Sequence, residues 1–472
     1  MEIPQSFKRG RICFQIAIVL SILICGLAGT LARGQIPLVD SSFHPDVSSD
    51  GYVFAIVVQT NGDIVIGGNF ESVSGQPIAN LSRLHSDGTL DESFPTGTDS
   101  QVLGLALQPD GKIIVGGSFT NLQGVPCVGL GRLLPDGEVD PDFNTGTFFA
   151  FSNSPYNVAI RLDGKILVST IANPGGRLFQ LTTNGALDAT FTQTNEFEGY
   201  NIRKIFVQTN GDLIVGGAFN SVNGFASPGW VVLDSNGNLK TNVRSALAGS
   251  YSDVFTILQQ TNGGFLIGGL LKHTNGTANT VLDRLDSNFQ PDTNFQTSPF
   301  TPLDLSGPYI RSAILQPDGK IVAGGSFDQV GGYLRRGIVR LDSTGKVDGC
   351  FDPGLGVGSD FWGSDVVTSQ PDGRILVGGG FGIPGLVPSN IVRYLPQGEC
   401  DAIRVYIINN GDQLEVGGTC PPGGTNHLQS STNLIDWTDV DVETAPLLNG
   451  GFIDPADPAT VSPMFYRVKK VQ

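Results

Sequence analysis

Histidine is scarce in this chain: His44, His85, His273 and His427 are the only four in 472 residues, and they are scattered. No histidine or cysteine spacing resembles a zinc site, so neither a metal nor a cofactor is expected. Charge is also thin, at 15% of residues, and basic charge is thinner still, with 28 Lys and Arg against 44 Asp and Glu. A net charge of −16 excludes nucleic acid and anionic membrane surfaces as expected partners. What is plentiful is glycine, with 64 copies, which describes a turn-rich all-β chain rather than a disordered one.

The N-terminus carries Lys8, Arg9 and Arg11, an apolar run from Ile12 to Leu31, and then Ala32 and Gly34 at small-residue spacing. This pattern is a secretory signal, residues 1–34, cleaved near Gly34. The competing reading is an uncleaved anchor, because the run approaches the roughly 20 residues that span a bilayer. After cleavage no membrane partner is expected, and the localisation is secreted or cell surface. Export permits disulfides. Proximity in sequence selects Cys400 with Cys420 as a pair and leaves Cys127 and Cys350 as free thiols.

One phrase recurs seven times: a turn tripeptide followed by a strand closing on paired glycines, as in QPDGKIIVGGSF from Gln108 to Phe119. The turn glycines are Gly62, Gly111, Gly164, Gly211, Gly263, Gly319 and Gly373. Their spacing suits a propeller blade, at roughly 40 to 50 residues each. A second phrase, RLxxDGxxDxxF, follows in most units, as in RLLPDGEVDPDF from Arg132. Two hairpins per unit predict four antiparallel strands, A to D. A three-residue loop with Gly111 left-handed sets Leu107 opposite Ile113 and Leu105 opposite Val115. The same loop in the second hairpin sets Arg83, Arg132 and Arg340 opposite Asp91, Asp140 and Asp348. Such a cross-strand pair is worth under about 1 kcal/mol if exposed. In unit four both partners vanish, as Val232 and Lys240, and unit three has Gln180 opposite Asp188.

Strand A is apolar on both faces, which implies a sheet covered by further copies of itself. The paired glycines then mark places where a neighbouring backbone leaves no room for side chains. The segment VDSSF at 39–43 matches VDGCF at 347–351 and is expected to close the last blade from the N-terminus. The alternative is that Glu399 to Ile403 does so. Closure removes exposed edges.

These phrases resemble the delta-60 repeat family of bacterial exported proteins. The resemblance implies a seven-bladed β-propeller of four-stranded antiparallel blades over residues 35–404, with strand 38–43 closing the ring. It implies no shared catalytic residue. Residues 405–472 change composition and alternate as a small β-sandwich-like domain. They resemble a terminal module of large exported bacterial proteins through LQSSTNLIDW and FYRV.

Link lengths indicate the functional face. The interval from strand B to strand C is 13 residues in most units, whereas the D to A links vary. Recognition concentrates on variable loops. The links are aromatic, including Phe148, Phe149, Phe151, Tyr156, Phe197, Tyr200, Tyr251, Phe300, Tyr309, Phe361 and Trp362. Tyr200, Tyr309 and Trp362, beside Asp253 and Asp365, form the expected ligand site for a glycan or protein partner. Against it stands the reading that these rings bury themselves between blades. Gln59, Gln108, Gln208, Gln260, Gln316 and Gln370, with Arg161 in unit three, are expected to satisfy turn backbone. Asp110, Asp318 and Asp372 are expected to form Asx turns without calcium.

No nucleophile with its base and no metal cluster appears, so a monomeric, non-catalytic binding or display scaffold is expected. The alternatives are a carbohydrate-active enzyme using two carboxylates such as Asp253 and Asp365, and a purely structural surface component.

Overall fold

The local chemistry of the repeat is realised strand by strand. The computed structural model describes residues 39–396 apart from short stretches of the connecting loops, and the paired strands between 404 and 471. The signal segment and the Cys400 with Cys420 pairing lie outside the described residues. Among the described residues every element is a β-strand. The chain divides into a compact unit, Pro37–Gly398, and a second that holds Glu399–Gln472.

The turns behave as their residues dictate. Gly111 has φ +85°, its N–H donates to Gln108 O at 2.9 Å, and the Asp110 carboxylate accepts from Lys112 N at 3.1 Å. Asp318 and Asp372 do the same for Lys320 and Arg374. The register follows, with Leu107 opposite Ile113 and Leu105 opposite Val115. Seven such inner strands are Tyr52–Val58, Val102–Leu107, Ser154–Ile160, Phe197–Val207, Asp253–Gln259, Tyr309–Leu315 and Ser364–Ser369. Each pairs with a second strand, which pairs with a third. The inner strand of every sheet packs on that of the next, and Ser364–Ser369 packs on Tyr52–Val58, so the ring closes.

The outermost position differs from the four-stranded expectation: it is one isolated bridge per blade, as in Leu84 with Leu90 and Leu133 with Val139. The reason is chemical. Asp91 donates its N–H to Arg83 O, but its side chain then accepts from Ser93 N at 2.9 Å, which turns the chain away from the sheet. Asp140, Asp188, Asp292 and Asp348 repeat this. In the last blade the bridge joins Val39 to Tyr394, and Asp40 pairs with Arg393 at 2.9 Å.

Most of the arginine and aspartate pairs are buried, the half-buried Arg284 with Asp292 being the exception. Arg83 and Asp91 side chains are 9% and 6% exposed, so the small value of an exposed pair does not apply. Each arginine also crosses to the next blade. Arg83 Nη1 donates to Pro135 O at 3.0 Å, and Arg284 to Ser343 O at 2.8 Å. Arg132, Arg340 and Arg393 reach Thr183, Pro396 and Ser86 in the same way. In blade three Arg161 donates to both Gln180 and Ser235 O, so the guanidinium has moved to strand A. Gln59 and Gln370 likewise donate to backbone of a neighbouring blade's turn, Pro135 O and Ser86 O.

A phenylalanine latches five of these seams. A Cβ on Gly237 would lie 2.7 Å from Phe191 of the preceding blade, and Gly88, Gly137, Gly185 and Gly345 face Phe43, Phe94, Phe143 and Phe295 similarly. The seam between blades four and five is built otherwise. Val243 stands where phenylalanine is usual, and Phe289, at φ 64°, stands where glycine is usual. The Phe289 ring stacks on Phe265 at 5.0 Å and on Trp230 at 5.8 Å. Lys240 pairs with Asp212 at 2.6 Å, the reverse of the Lys112–Asp140 pair in blade two. In unit four the arginine is lost, as Val232, while the lysine and aspartate pair is kept in inverted order.

The cysteines correct one expectation. Cys127 is free, and burial pushes its thiol up to about 11. Cys350 is disulfide-bonded, not free.

The second unit contains two antiparallel sheets. One holds Arg404–Asn409, Leu414–Thr419 and Gly451–Ile453; the other holds Thr438–Thr444, Thr425–Ser431 and Phe465–Val471.

Candidate functional site, the axial collar

Every inner strand carries a β-bulge at the same place, eight residues before its turn glycine. The skipped residues are Phe54, Leu103, Tyr156, Arg203, Phe255, Arg311 and Asp365. A bulge re-aims a side chain, and all seven keep partial exposure, as residues lining an axial channel do. The paired glycines make this possible, by a route other than backbone packing between blades. A Cβ on Gly67 would meet Val102 Cγ1 of the next blade at 2.5 Å, whereas one on Gly68 would strike Tyr52 O at the blade's own bulge. Blade three replaces the pair with Ser169 and Thr170, and the Ser169 hydroxyl accepts from Asn157 N at 3.2 Å.

The collar is apolar in blades one and two, where Tyr52 stacks on Phe54 at 5.8 Å; of the other five collar residues Arg203, Arg311 and Asp365 are charged and Tyr156 and Phe255 are aromatic. Arg203 donates to Tyr156 Oη at 3.3 Å and pairs with Asp253 at 3.2 Å. Its guanidinium lies 5.2 Å from the Phe255 ring centroid. Phe255 packs on Tyr309 at 5.9 Å, and Arg311 lies over both rings while pairing with Asp365. Burial pushes Asp365 up to about 6, despite Arg311. Burial also raises Asp253, and Arg203 pulls only partly against it. Arg203 itself is held above its ordinary value, because Asp253 and Tyr156 outweigh the opposing effect of burial. Lys204, next along, is half-buried, and burial alone holds its ammonium below the usual lysine range.

Of the expected ligand residues, the structure brings Asp253, Tyr309 and Asp365 into this network. Tyr200 is 74% exposed and stands apart from it. Trp362 lies outside the described residues, as do Phe148, Phe151, Tyr251 and Phe361. Phe149, Phe197 and Phe300 pack edge-on against Phe179, Phe219 and Phe327, so these three rings serve the blades. The aromatic faces at the collar are covered by guanidinium groups, which leaves less open platform than a sugar would use. Both carboxylates face arginines, so neither stands as an unpaired acid or base. Arg203, Lys204 and Arg311 were not singled out in the sequence. For Arg203 and Arg311 the signal was present: the chemistry of the bulge position changes from blade to blade in an otherwise repetitive unit.

The family described as a domain of unknown function, DUF5122 β-propeller, matches residues 59–94, 108–143, 146–191, 316–351 and 370–402. No curated protein matches the chain. Among solved structures, the extracellular domain of BT4673 from B. thetaiotaomicron, assigned to a hybrid two-component system, is 15% identical with a TM-score of 0.49. The match covers 82% of this chain and 46% of that one, so this chain spans less than half of it. YCF48 from Cyanidioschyzon merolae is 15% identical, TM-score 0.41, over 74% of this chain and 98% of that one. A gluconolactonase from Xanthomonas campestris is 13% identical, TM-score 0.35, over 78% and 99%. None of these likenesses bears on activity.

Proposed function

The chain carries β-propeller repeats of the DUF5122 family, and from that premise we propose that it is an exported, non-catalytic binding scaffold whose ligand enters at the axial collar. The observation that carries this reading is the contrast between what repeats and what does not. The arginine clasps, phenylalanine latches and Asx turns recur around the ring, and a residue needed in most blades serves the blade. The collar charges do not recur, and they lie at the start of the inner strands, beside the variable D to A links where recognition concentrates. The disulfide at Cys350 supports an oxidising destination.

The test is a glycan array and a panel of small organic acids and sugars, screened against the full chain without its signal. Ligand binding is expected to weaken at least tenfold in Tyr309→Ala, which removes a collar ring, and to survive in Tyr200→Ala. Loss in Tyr200→Ala with retention in Tyr309→Ala would move the site to the outer loops and refute the collar.

A further inference from the structure

We propose that the seam between blades four and five holds a second site, separate from the collar, which takes a small organic amine as its ammonium ion. A cavity of about 90 Å³ lies there, and no collar residue lines it. One water needs only about 10–15 Å³, so this space admits the head of a small organic molecule. His273 and Asp283 line it together with Trp230 and Phe289, whose rings stack at 5.8 Å. Ala246 and Pro291, both exposed, line it as well, so it opens to solvent.

The other blades show what this place does for the fold. Where the incoming chain bridges the end of the second strand, blades one, two, four and six carry Val73, Leu122, Val222 and Val330, all fully buried. In blade five that bridge falls on His273. In the middle of the third strand the other six blades carry Ser82, Gly131, Phe179, Val231, Val339 and Val392, again all buried. The same register position in blade five is Asp283, opposite Ile267. The two seats are adjacent, since a Cβ on Gly131 would lie 2.5 Å from Leu122 Cδ2. Blade five thus puts an imidazole and a carboxylate, 3.4 Å apart and 18% and 23% exposed, where its sisters make a buried contact. Desolvating these groups costs stability that an aliphatic pair would not, so folding alone does not account for them.

The charges select the ligand. Thr280 Oγ1 gives its one proton to Asp283 Oδ1 at 2.7 Å, so it accepts from His273 Nε2 at 3.0 Å. A neutral imidazole suffices for that bond and leaves the Asp283 charge unbalanced. Arg284 also lines the cavity, but its Nε and Nη2 are held by Asp292 at 2.8 Å and its Nη1 by Ser343 O. Burial raises Asp283, with Thr280 and His273 opposing it only in part. One negative charge is left over, and an ammonium completes it with a charge-assisted bond. A sugar would bring several hydroxyls to a space whose remaining lining is mostly apolar, whereas the body of an amine can lie against Trp230 and Phe289.

The experiment uses the full chain without its signal at about pH 8, where an ordinary imidazole is neutral. Benzylamine, butylamine, benzyl alcohol and benzoate are titrated in while histidine side-chain signals are followed by NMR. At least one amine is expected to bind and to shift one histidine signal, the one missing from His273→Val. Benzyl alcohol and benzoate should bind at least tenfold more weakly than that amine. Asp283→Asn should weaken amine binding ten- to a hundredfold, the worth of one charge-assisted bond. His273→Val combined with Asp283→Val restores the aliphatic pair of blades four and six; it should abolish binding and melt no lower than the parent, which separates lost binding from lost folding. Tyr309→Ala should leave amine binding unchanged, and its loss there would move the amine to the collar and overturn this site. Equal binding of amine and alcohol, or parent-like binding by Asp283→Asn, overturns the ammonium assignment. So does a histidine shift produced by zinc but by neither amine, or amine binding weaker than about 10 mM.

Discussion

Exchanging the two unusual residues at the seam between blades four and five should restore the pattern of the other seams. In the parent protein Phe289 fills the place that a phenylalanine of the preceding blade fills elsewhere, and Val243 leaves it room. Phe289→Gly removes a half-buried ring stacked on Phe265 and Trp230. Full truncation of a core phenylalanine costs about 3–5 kcal/mol, and half burial reduces that to about 2. Lost stacking adds about 1 kcal/mol. Relief of the left-handed backbone at Phe289 returns about 1 kcal/mol, leaving a net loss of about 2. Val243→Phe alone places a ring into a filled seat and should cost about 1–3 kcal/mol. Together they recreate the Phe191–Gly237 arrangement, so the double variant should lie within about 1 kcal/mol of the parent, a coupling of about 3. Denaturant unfolding of the four proteins measures the cycle. Additive losses would refute the latch as the determinant of this seam.

Arg132→Val strands Thr183 O and leaves Asp140 paired with Lys112 and Asp142 N; a loss of about 3 kcal/mol is expected by chemical denaturation. A loss below 1 would mean the pair behaves as an exposed one. Gly117→Ala drives a Cβ onto Gln101 O and should cost about 3 kcal/mol. Gly124→Ala, open but left-handed, should cost only about 1, as melting temperatures would report. Stability should respond to pH in two windows. Asp365 is raised to about 6, so the folded state holds its proton more tightly, and this group's contribution weakens as pH rises from 4 through 6. Asp91, Asp140 and Asp348 are lowered, burial being outweighed by their hydrogen bonds and arginines, so their contribution is present at neutral pH and lost below 4. Asp365→Asn should narrow the upper window in a pH series of unfolding curves, to which the raised Asp253 still contributes, and leave the lower one unchanged.

Much of the blade was legible because its determinants are local. The turn glycine, the strand register and the pairing of Arg132 with Asp140 are all fixed within some thirty residues, by left-handed backbone, apolar alternation and opposite charge. The shortness of strand D was also written in the sequence, in the aspartate that captures the N–H two residues on. The collar was only partly legible. Asp253, Tyr309 and Asp365 were picked out for residue type and position, but the arginines that neutralise the carboxylates and cover the rings were not.

What the amino-acid order determined by itself was the unit: two hairpins, their register and the number of copies. What only the tertiary structure decided was what each unit presents to the next. The second nitrogen of Arg83 finds Pro135, and Phe191 finds Gly237, roughly one repeat away along the chain. Nothing local specifies such partners; they exist because the ring closes and brings the same face of every copy against its neighbour. The bulge belongs to the same class, since its purpose is visible only when seven of them surround one axis and place unlike side chains within reach of each other.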